Sequence, residues 1–341
     1  MIRHLILFLI HALAFAQPIK FTKVEISNVP IEGASIRSLF AEDTKVWYGN
    51  QNGSVGFYDF LTQMHRTRQV NFNGKFVDFR SVASNGKHIF ALSAGSPALL
   101  YKIDKETLKA TLVYHNSDPA IFFDGLAFVD EYRGVSFADP IQGRFQLLKT
   151  SDGGATWSLS APEGLECSSG EAAFAASNST LVASPQTIRI FTGGMQSNLY
   201  TSYDFGTTWS KAALPIVQGS SMKGVFTAEF YDEEIGFAAG GDYENPASDT
   251  SNKILTEDRG RQWKTVADGS GFGYASCVKF VPNSEGKELV VVGPSGIWYS
   301  SDKGMTWNKI HEDGNFYVIQ FTSRSSAIAG GKGKVARLEF H

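Results

Sequence analysis

The chain has 341 residues and a formal net charge of −3, so it lacks the basic footprint of a nucleic-acid binder. At 43% hydrophobic, 13% aromatic and only 19% charged residues, it is too apolar to be disordered. Glycine (34) and phenylalanine (26) are both abundant, which suits many short strands joined by tight turns.

The first element in chain order is a leader. Arg3 and His4 form a short basic stretch, and an apolar run over residues 5–15 is broken only by His11. Ala14-Phe15-Ala16 then puts small residues at positions −3 and −1 before Gln17-Pro18. This is the layout of a secretory signal peptide, residues 1–16. The run is shorter than the roughly 20 residues of a spanning helix. No cysteine sits near the cut, and no later segment is long and apolar enough to span a bilayer. The expectation is a periplasmic or extracellular protein without a membrane span, with residues 17–341 as a single domain. Loss of Arg3 takes the charge from −3 to −4. Cys167 and Cys277 lie far apart; an oxidising compartment permits a disulfide, but two free thiols are the favoured reading.

Residues 21–26 (FTKVEI) form an orphan strand. Seven strand clusters follow, at residues 35–64, 79–115, 122–160, 170–215, 223–266, 274–310 and from 316 onward. Their first strands look alike: IRSLFA, FRSVAS, FDGLAFV, EAAFAAS, VFTAEFY, SCVKFVP and YVIQFTS. Each is an apolar, β-prone run followed by a turn. The last cluster supplies three strands only, and an unpaired edge is an aggregation hazard. The orphan strand is therefore expected to be its outer strand. The fold class is all-β, a seven-bladed β-propeller closed by the N-terminal strand.

Within these clusters one segment recurs: TSDGGATW (150–157), SYDFGTTW (202–209), TEDRGRQW (256–263) and SSDKGMTW (300–307). The Asp-to-Asp spacings are 52 (204 − 152), 54 (258 − 204) and 44 (302 − 258), a loose period fitting blades with loop insertions. The recurring Asp152, Asp204, Asp258 and Asp302 are read as turn formers that accept backbone N–H groups. Gly154, Gly206, Gly260 and Gly304 supply the positive φ, and Trp157, Trp209, Trp263 and Trp307 supply packing surface. A metal role is disfavoured, since one acid per turn is too few oxygen ligands for Ca²⁺.

These four segments resemble those of BNR/Asp-box proteins. Together with FFDGLAF, GVSFADPIQGRF, GEAAFAAS, FTGG, GGDY and VGPSG, the chain resembles bacterial photosystem II stability/assembly factor-like proteins, of sialidase-like superfamily architecture. The resemblance covers nearly all of the chain after the leader. It implies a seven-bladed propeller with a binding or assembly role.

Propeller sites sit at the channel mouth, where the inner strands begin. Matching the first strands places Arg37, Arg80, Asp124, Glu171, Phe226, Ser276 and Tyr317 around one opening. Charges at that depth are costly unless paired or solvated. The mouth therefore reads either as a water-filled channel with Arg37 and Arg80 neutralised by Asp124 and Glu171, or as a polar recognition site. A second candidate set lies in the loops after the second strands: Asp139 and Arg144 in residues 138–145, and Asp242 and Tyr243 before the insertion 244–253. Residues 191–194 occupy the same place in the fourth cluster.

No catalytic residues are assigned. A sialidase needs three arginines on a carboxylate and a Tyr–Glu nucleophile. Arg37, Arg80 and Arg144, with Tyr243 or Tyr274, are the residues available, and no local motif supports them. No His-x-x-x-His or Cys-x-x-Cys pair suggests a metal, and no Gly-x-Ser-x-Gly marks a hydrolase elbow. An oxidoreductase reading lacks a Gly-x-Gly-x-x-Gly between strand and helix. The leading expectation is a non-catalytic binding or assembly scaffold without cofactor, taking an unidentified protein or glycan partner in the cell envelope. A sialidase-like or glycan-binding propeller is the alternative, and another enzyme the third reading.

Overall fold

The computed structural model describes residues 20–31 and 35–341; the expected signal peptide lies outside them. The described residues contain no helix, and therefore none able to cross a membrane. They form seven antiparallel blades of four strands each, the short pair Glu171–Ala172 and Gly193–Gly194 extending the sheet of blade five to six strands. From innermost to outer strand, blade one is Ser38–Glu42, Lys45–Gly49, Ser54–Asp59 and His65–Gln69. Blade two is Phe79–Ser84, His88–Ser93, Ala98–Asp104 and Ala110–Asn116; blade three is Phe123–Phe128, Gly134–Ile141, Arg144–Thr150 and Ser158–Ser160. Blade four is Leu181–Ala183, Ile188–Phe191, Asn198–Ser202 and Ser210–Ala213. Blade five is Lys223–Phe230, Gly236–Asp242, Lys253–Thr256 and Lys264–Thr265; blade six is Cys277–Phe280, Leu289–Gly293, Gly296–Ser300 and Asn308–His311. Each innermost strand touches those of the blades before and after it, and blade seven touches blade one. The ring is closed.

Closure uses the N-terminal strand, as expected, but three residues later than expected. Val24–Val29 pairs antiparallel with Val335–Phe340, completing the blade begun by Phe316–Phe321 and Ser326–Gly331. Phe21 instead packs its ring 5.0 Å from Tyr299 and 5.1 Å from Phe340, tying the strand's start to blade six. Blade one also runs past its expected end at residue 64, because its outer strand is the fully exposed His65–Gln69.

The expected first strand of blade four is overturned. Glu171–Ala172 pairs with Gly193–Gly194 on the edge of the blade-five sheet, and the first strand of blade four's own sheet begins only at Leu181. Small residues explain the misreading: EAAFAAS has strand-like apolarity, yet it carries few large side chains to hold it in a sheet.

The core lies between blades, not within them. Apolar wedges fill all seven gaps, such as Phe90, Leu92, Phe123, Leu126 and Leu148 between blades two and three, and one continuous cluster covers both faces of blade seven. Each blade is buried on both faces, so its second strand reads as a continuous apolar run, like Leu289–Gly293. Fully burying one such Val, Leu or Phe contributes about 1.5–3 kcal/mol.

The four recurring turns join third to outer strands, at the end of the ring opposite to where the innermost strands begin. In the first, Asp152 accepts the amides of Ala155 and Thr156, each at 3.0 Å, and the Thr156 hydroxyl at 2.6 Å. Those bonds, led by the Thr156 hydroxyl, pull its carboxyl down to about 2. The Thr150 hydroxyl both donates to Asp152 at 2.8 Å and accepts the Gly154 amide at 3.0 Å. The other three turns repeat the pattern, except that Gln262 offers only its amide and that the amides of Arg261 and Met305 bond the backbone carbonyls of Asp258 and Asp302. The tryptophans then reach the preceding blade: Trp157 meets Phe90, Trp263 meets Phe191, and Trp307 meets Phe237. The turn is thus a staple between blades. Cys167 and Cys277 are unpaired, the first half-buried and the second buried.

Gly304 has φ +81°, and a Cβ there would sit 2.3 Å from the Phe237 ring of blade five. Gly304→Ala is expected to lower unfolding free energy by about 3 kcal/mol, from left-handed strain plus overpacking. Gly333→Ala, at φ +71° with open space around it, should lose only the strain, about 1–2 kcal/mol. Urea midpoints of the two variants test this; equal losses would show that the contact with the neighbouring blade does not matter.

Candidate functional site

The innermost strands share one irregularity. In blades two, three, five and seven their pairing with the second strand slips by one residue, at Arg80, Asp124, Phe226 and Tyr317. A bulge leaves its extra residue unpaired and re-aims the side chain. Arg37 and Ser276 stand just before the first strand residues of blades one and six. Six of the seven residues matched in the sequence therefore hold equivalent places. Glu171 does not, because the blade-four chain departs there.

At the bulge position blade four carries an excursion instead of one residue. Residues 173–180 face only residues 191–192 of the second strand. The excursion enters the channel and bonds to blades on several sides. The Ser177 hydroxyl donates to the Ser276 carbonyl of blade six at 2.8 Å, and the Ser179 hydroxyl donates to Thr227 of blade five at 2.8 Å. The Asn178 side chain accepts the Leu126 amide of blade three at 2.8 Å and donates to the Leu126 carbonyl at 3.1 Å and the Val82 carbonyl of blade two at 3.3 Å. Asn178 has φ +58°, a left-handed conformation that asparagine tolerates. The excursion therefore plugs the channel at its mouth end, and the channel stays open below it.

The expected charge pairing is also corrected. Arg37 stacks over the Tyr317 ring at 4.5 Å and has no carboxylate partner among the described residues. Arg80 pairs with Asp78 at 3.0 Å. Glu171 accepts from the Thr192 hydroxyl at 2.6 Å, the Ser168 amide at 2.8 Å and Lys211 at 3.0 Å. Burial works to raise its carboxyl, but these bonds hold it below the usual range. Asp124 is completely buried, with no hydrogen-bond partner on either oxygen among the described residues. Burial, then the neighbouring Asp139, push it well above the usual carboxylate range. Asp139 itself is raised to about 6 by burial, against the pull of the Ala173 amide it accepts at 3.0 Å.

The loop candidates separate. Arg144 pairs with Glu166 at 2.9 Å; Asp242 pairs with Lys223 at 3.4 Å and accepts the amides of Glu244 and Asn245. Arg80 and Arg144 are thus held by their own carboxylates in different blades, which does not make the arginine cluster of a sialidase. Tyr243 joins the mouth. Phe174 of the plug stacks on Phe226 with centroids 3.8 Å apart, Phe226 meets Tyr274 at 4.8 Å, and Tyr243, half-exposed, meets Tyr274 at 5.3 Å. One half of the mouth is therefore aromatic, with Arg37 on its rim.

Arg80 also begins a groove over blade two, with a volume of about 650 Å³. A small hairpin, Asn71–Phe72 with Lys75–Phe76, forms one wall. Its turn, Asn73-Gly74, has both φ positive, as the tightest hairpin turns require. Pro97, Leu99 and Phe122 line the remainder. Phe76 is 66% exposed and Phe122 37% exposed, an unusual cost for two large apolar rings. The sequence sign of this hairpin is an Asn-Gly between two phenylalanines. Below the plug a cavity of about 280 Å³ holds the Lys279–Glu229 pair at 2.9 Å. Among the described residues, no three His, Cys, Asp or Glu side chains gather as a metal site.

No family model and no curated protein matches the chain. Solved structures do match in fold. YCF48 bound to D1 peptide is 14% identical with a TM-score of 0.64, over 94% of this chain and 98% of that one. YCF48 from Cyanidioschyzon merolae is 13% identical with a TM-score of 0.67, over 93% and 98%. The RRP9 WD40 repeats are 10% identical with a TM-score of 0.67, over 93% and 97%. At such identities the likeness is one of fold: an all-β, seven-bladed propeller.

Removing the Asn178 side chain leaves the Leu126 amide and carbonyl without partners. Asn178→Ala and Asn178→Gly are both expected to cost about 2–4 kcal/mol in urea unfolding, since a buried donor left unmade costs about 1–3 kcal/mol by itself. Glycine keeps the left-handed backbone, so a stable Asn178→Gly beside an unstable Asn178→Ala would assign the effect to backbone strain instead.

Proposed function

We propose that the protein is a secreted or periplasmic, non-catalytic binding scaffold of the BNR/Asp-box, photosystem II assembly factor-like type, which holds an extended segment of a partner protein. The observation that carries this is the groove over blade two, whose exposed Phe76 and Phe122 rings stand ready to cover apolar side chains. Arg80 joins the groove to the channel mouth, where Arg37 and the aromatic half extend the surface. A plugged channel favours recognition across the face over passage through the ring. The four Ser/Thr-x-Asp-x-Gly turns support the Asp-box assignment, and the leader-like residues 1–16 support secretion. YCF48, a propeller of similar fold, is described in complex with D1 peptide, which supports a peptide as the kind of ligand this architecture accepts.

Peptides selected by display against the whole protein test the reading. The double variant Phe76→Ala/Phe122→Ala should weaken them at least about tenfold, because buried aromatic anchors dominate such interfaces. Leu61→Ala, an exposed residue of the third-to-outer turn of blade one, should leave them unchanged. Peptides that bind the double variant as well as wild type would remove the groove from the proposal. Turnover of a fluorogenic sialoside, abolished by Arg37→Ala, would replace the non-catalytic reading.

A further inference from the structure

Asp124 is buried without a visible reason. Its carboxyl group is fully enclosed and neither oxygen has a hydrogen-bond partner among the described residues. It occupies the bulge of blade three, where other blades aim Arg80, Phe226 or Tyr317 at the mouth. Two anchors of the channel plug flank it. Asp139, on the second strand of the same blade, accepts the amide of Ala173, where the plug leaves its sheet. Leu126, two residues beyond Asp124, exchanges both backbone bonds with the Asn178 side chain, near the plug's return.

The groups around it offer no counter-charge. Asp139, the charged neighbour that acts on it, carries the same sign. On blade two, Arg80 is committed to Asp78. On the blade-four side, Glu171 is committed to Lys211, and Cys167 is a half-buried thiol. Arg144, on the third strand of blade three, is committed to Glu166. The plug residues 173–179 contain no titratable side chain. An ionised Asp124 would thus be a stranded charge, which a protein interior does not tolerate without water or a partner.

We propose that Asp124 is a proton-binding site that locks the plug into the channel: its carboxyl is protonated while residues 173–179 are seated, and release of that proton to solvent favours their withdrawal. Withdrawal admits water to the carboxylate and removes Phe174 from its stack on Phe226, so the aromatic half of the mouth changes shape with pH. The direction follows from linkage. Burial raises the acid in this seated structure, and an opened mouth that hydrates the carboxylate returns it toward the ordinary value, so the seated state binds more protons than the open one. The plug is therefore fully seated below the ordinary carboxylate value of about 4 and loosens as pH rises toward the seated-state value.

Hydrogen exchange of the full-length protein, read by mass spectrometry and corrected for intrinsic base catalysis, tests it. Between about pH 5 and pH 8 the opening of residues 173–180 should increase by up to about tenfold per pH unit, the limit for one linked proton. Asp124→Asn should reduce that slope to the share of Asp139, raised to about 6 and bonded to Ala173, and Asp124→Asn with Asp139→Asn should abolish it, while the innermost strands of blades one and six show none in any of these proteins. A slope unchanged in Asp124→Asn, or absent from wild type, overturns the proposal. If Asp124→Asn does not fold, infrared spectroscopy of the wild type decides. A protonated-carboxyl band that persists at neutral pH is expected, and its absence would overturn the assignment.

Discussion

A sheet that is apolar on both faces can be covered only by other sheets. This constraint organises the molecule. Each blade's second strand is buried along most of its length, as in Gly236–Asp242 and Leu289–Gly293, so no blade is stable in isolation. The apolar wedges between neighbours supply the stabilisation, and a linear stack would leave two faces bare. The ring removes both, and the pairing of Val24–Val29 with Val335–Phe340 makes the closure one of hydrogen bonds as well as packing. The recurring turns serve the same constraint at the periphery. Their aspartates rigidify a turn, and the rigid turn presents a tryptophan and a glycine to the blade before it.

The same ring creates a problem at its axis. Seven innermost strands meeting at one point leave a channel too wide for their own side chains to fill. Bulges aim Arg80, Phe226 and Tyr317 inward at one end, and blade four fills the middle with backbone. Backbone in such a place must have its polar groups met. The short hydroxyl and amide side chains of Ser177, Asn178 and Ser179 do this by bonding to blades two, three, five and six. Small polar residues suit the plug for that reason, and their smallness is also why the segment cannot be a strand of an apolar wedge.

Architecture was legible in the sequence because it rests on repetition. Four copies of one turn fixed the strand spacing, and the orphan strand fixed how the last blade is completed. The equivalence of Arg37, Arg80, Asp124, Phe226, Ser276 and Tyr317 was also legible, since a bulge falls at the same place in similar strands. Pairing between those side chains was not. Arg80 turned to Asp78 and Glu171 to Lys211, partners set by loop geometry that no periodicity encodes. Glu171 failed for a related reason: in blade four the repeat is broken, and a method built on repetition misplaces the residue where it breaks. The groove over blade two escaped because its wall is an insertion between blades, outside any repeat.

The break in the repeat is where the unusual chemistry gathers. Blades two, five and seven end their bulges on a cation or an aromatic ring, each of which finds solvent, a carboxylate or another ring. Blade three alone ends on an acid with no partner among the described residues, and it stands beside the blade that sends its chain across the axis. The two irregularities are joined by bonds, through Asp139 to Ala173 and through Leu126 to Asn178. A buried carboxyl is neutral by necessity there, and a neutral carboxyl is a group that holds its proton only while it remains enclosed. Seating of the plug and retention of that proton are thus one equilibrium seen from two sides.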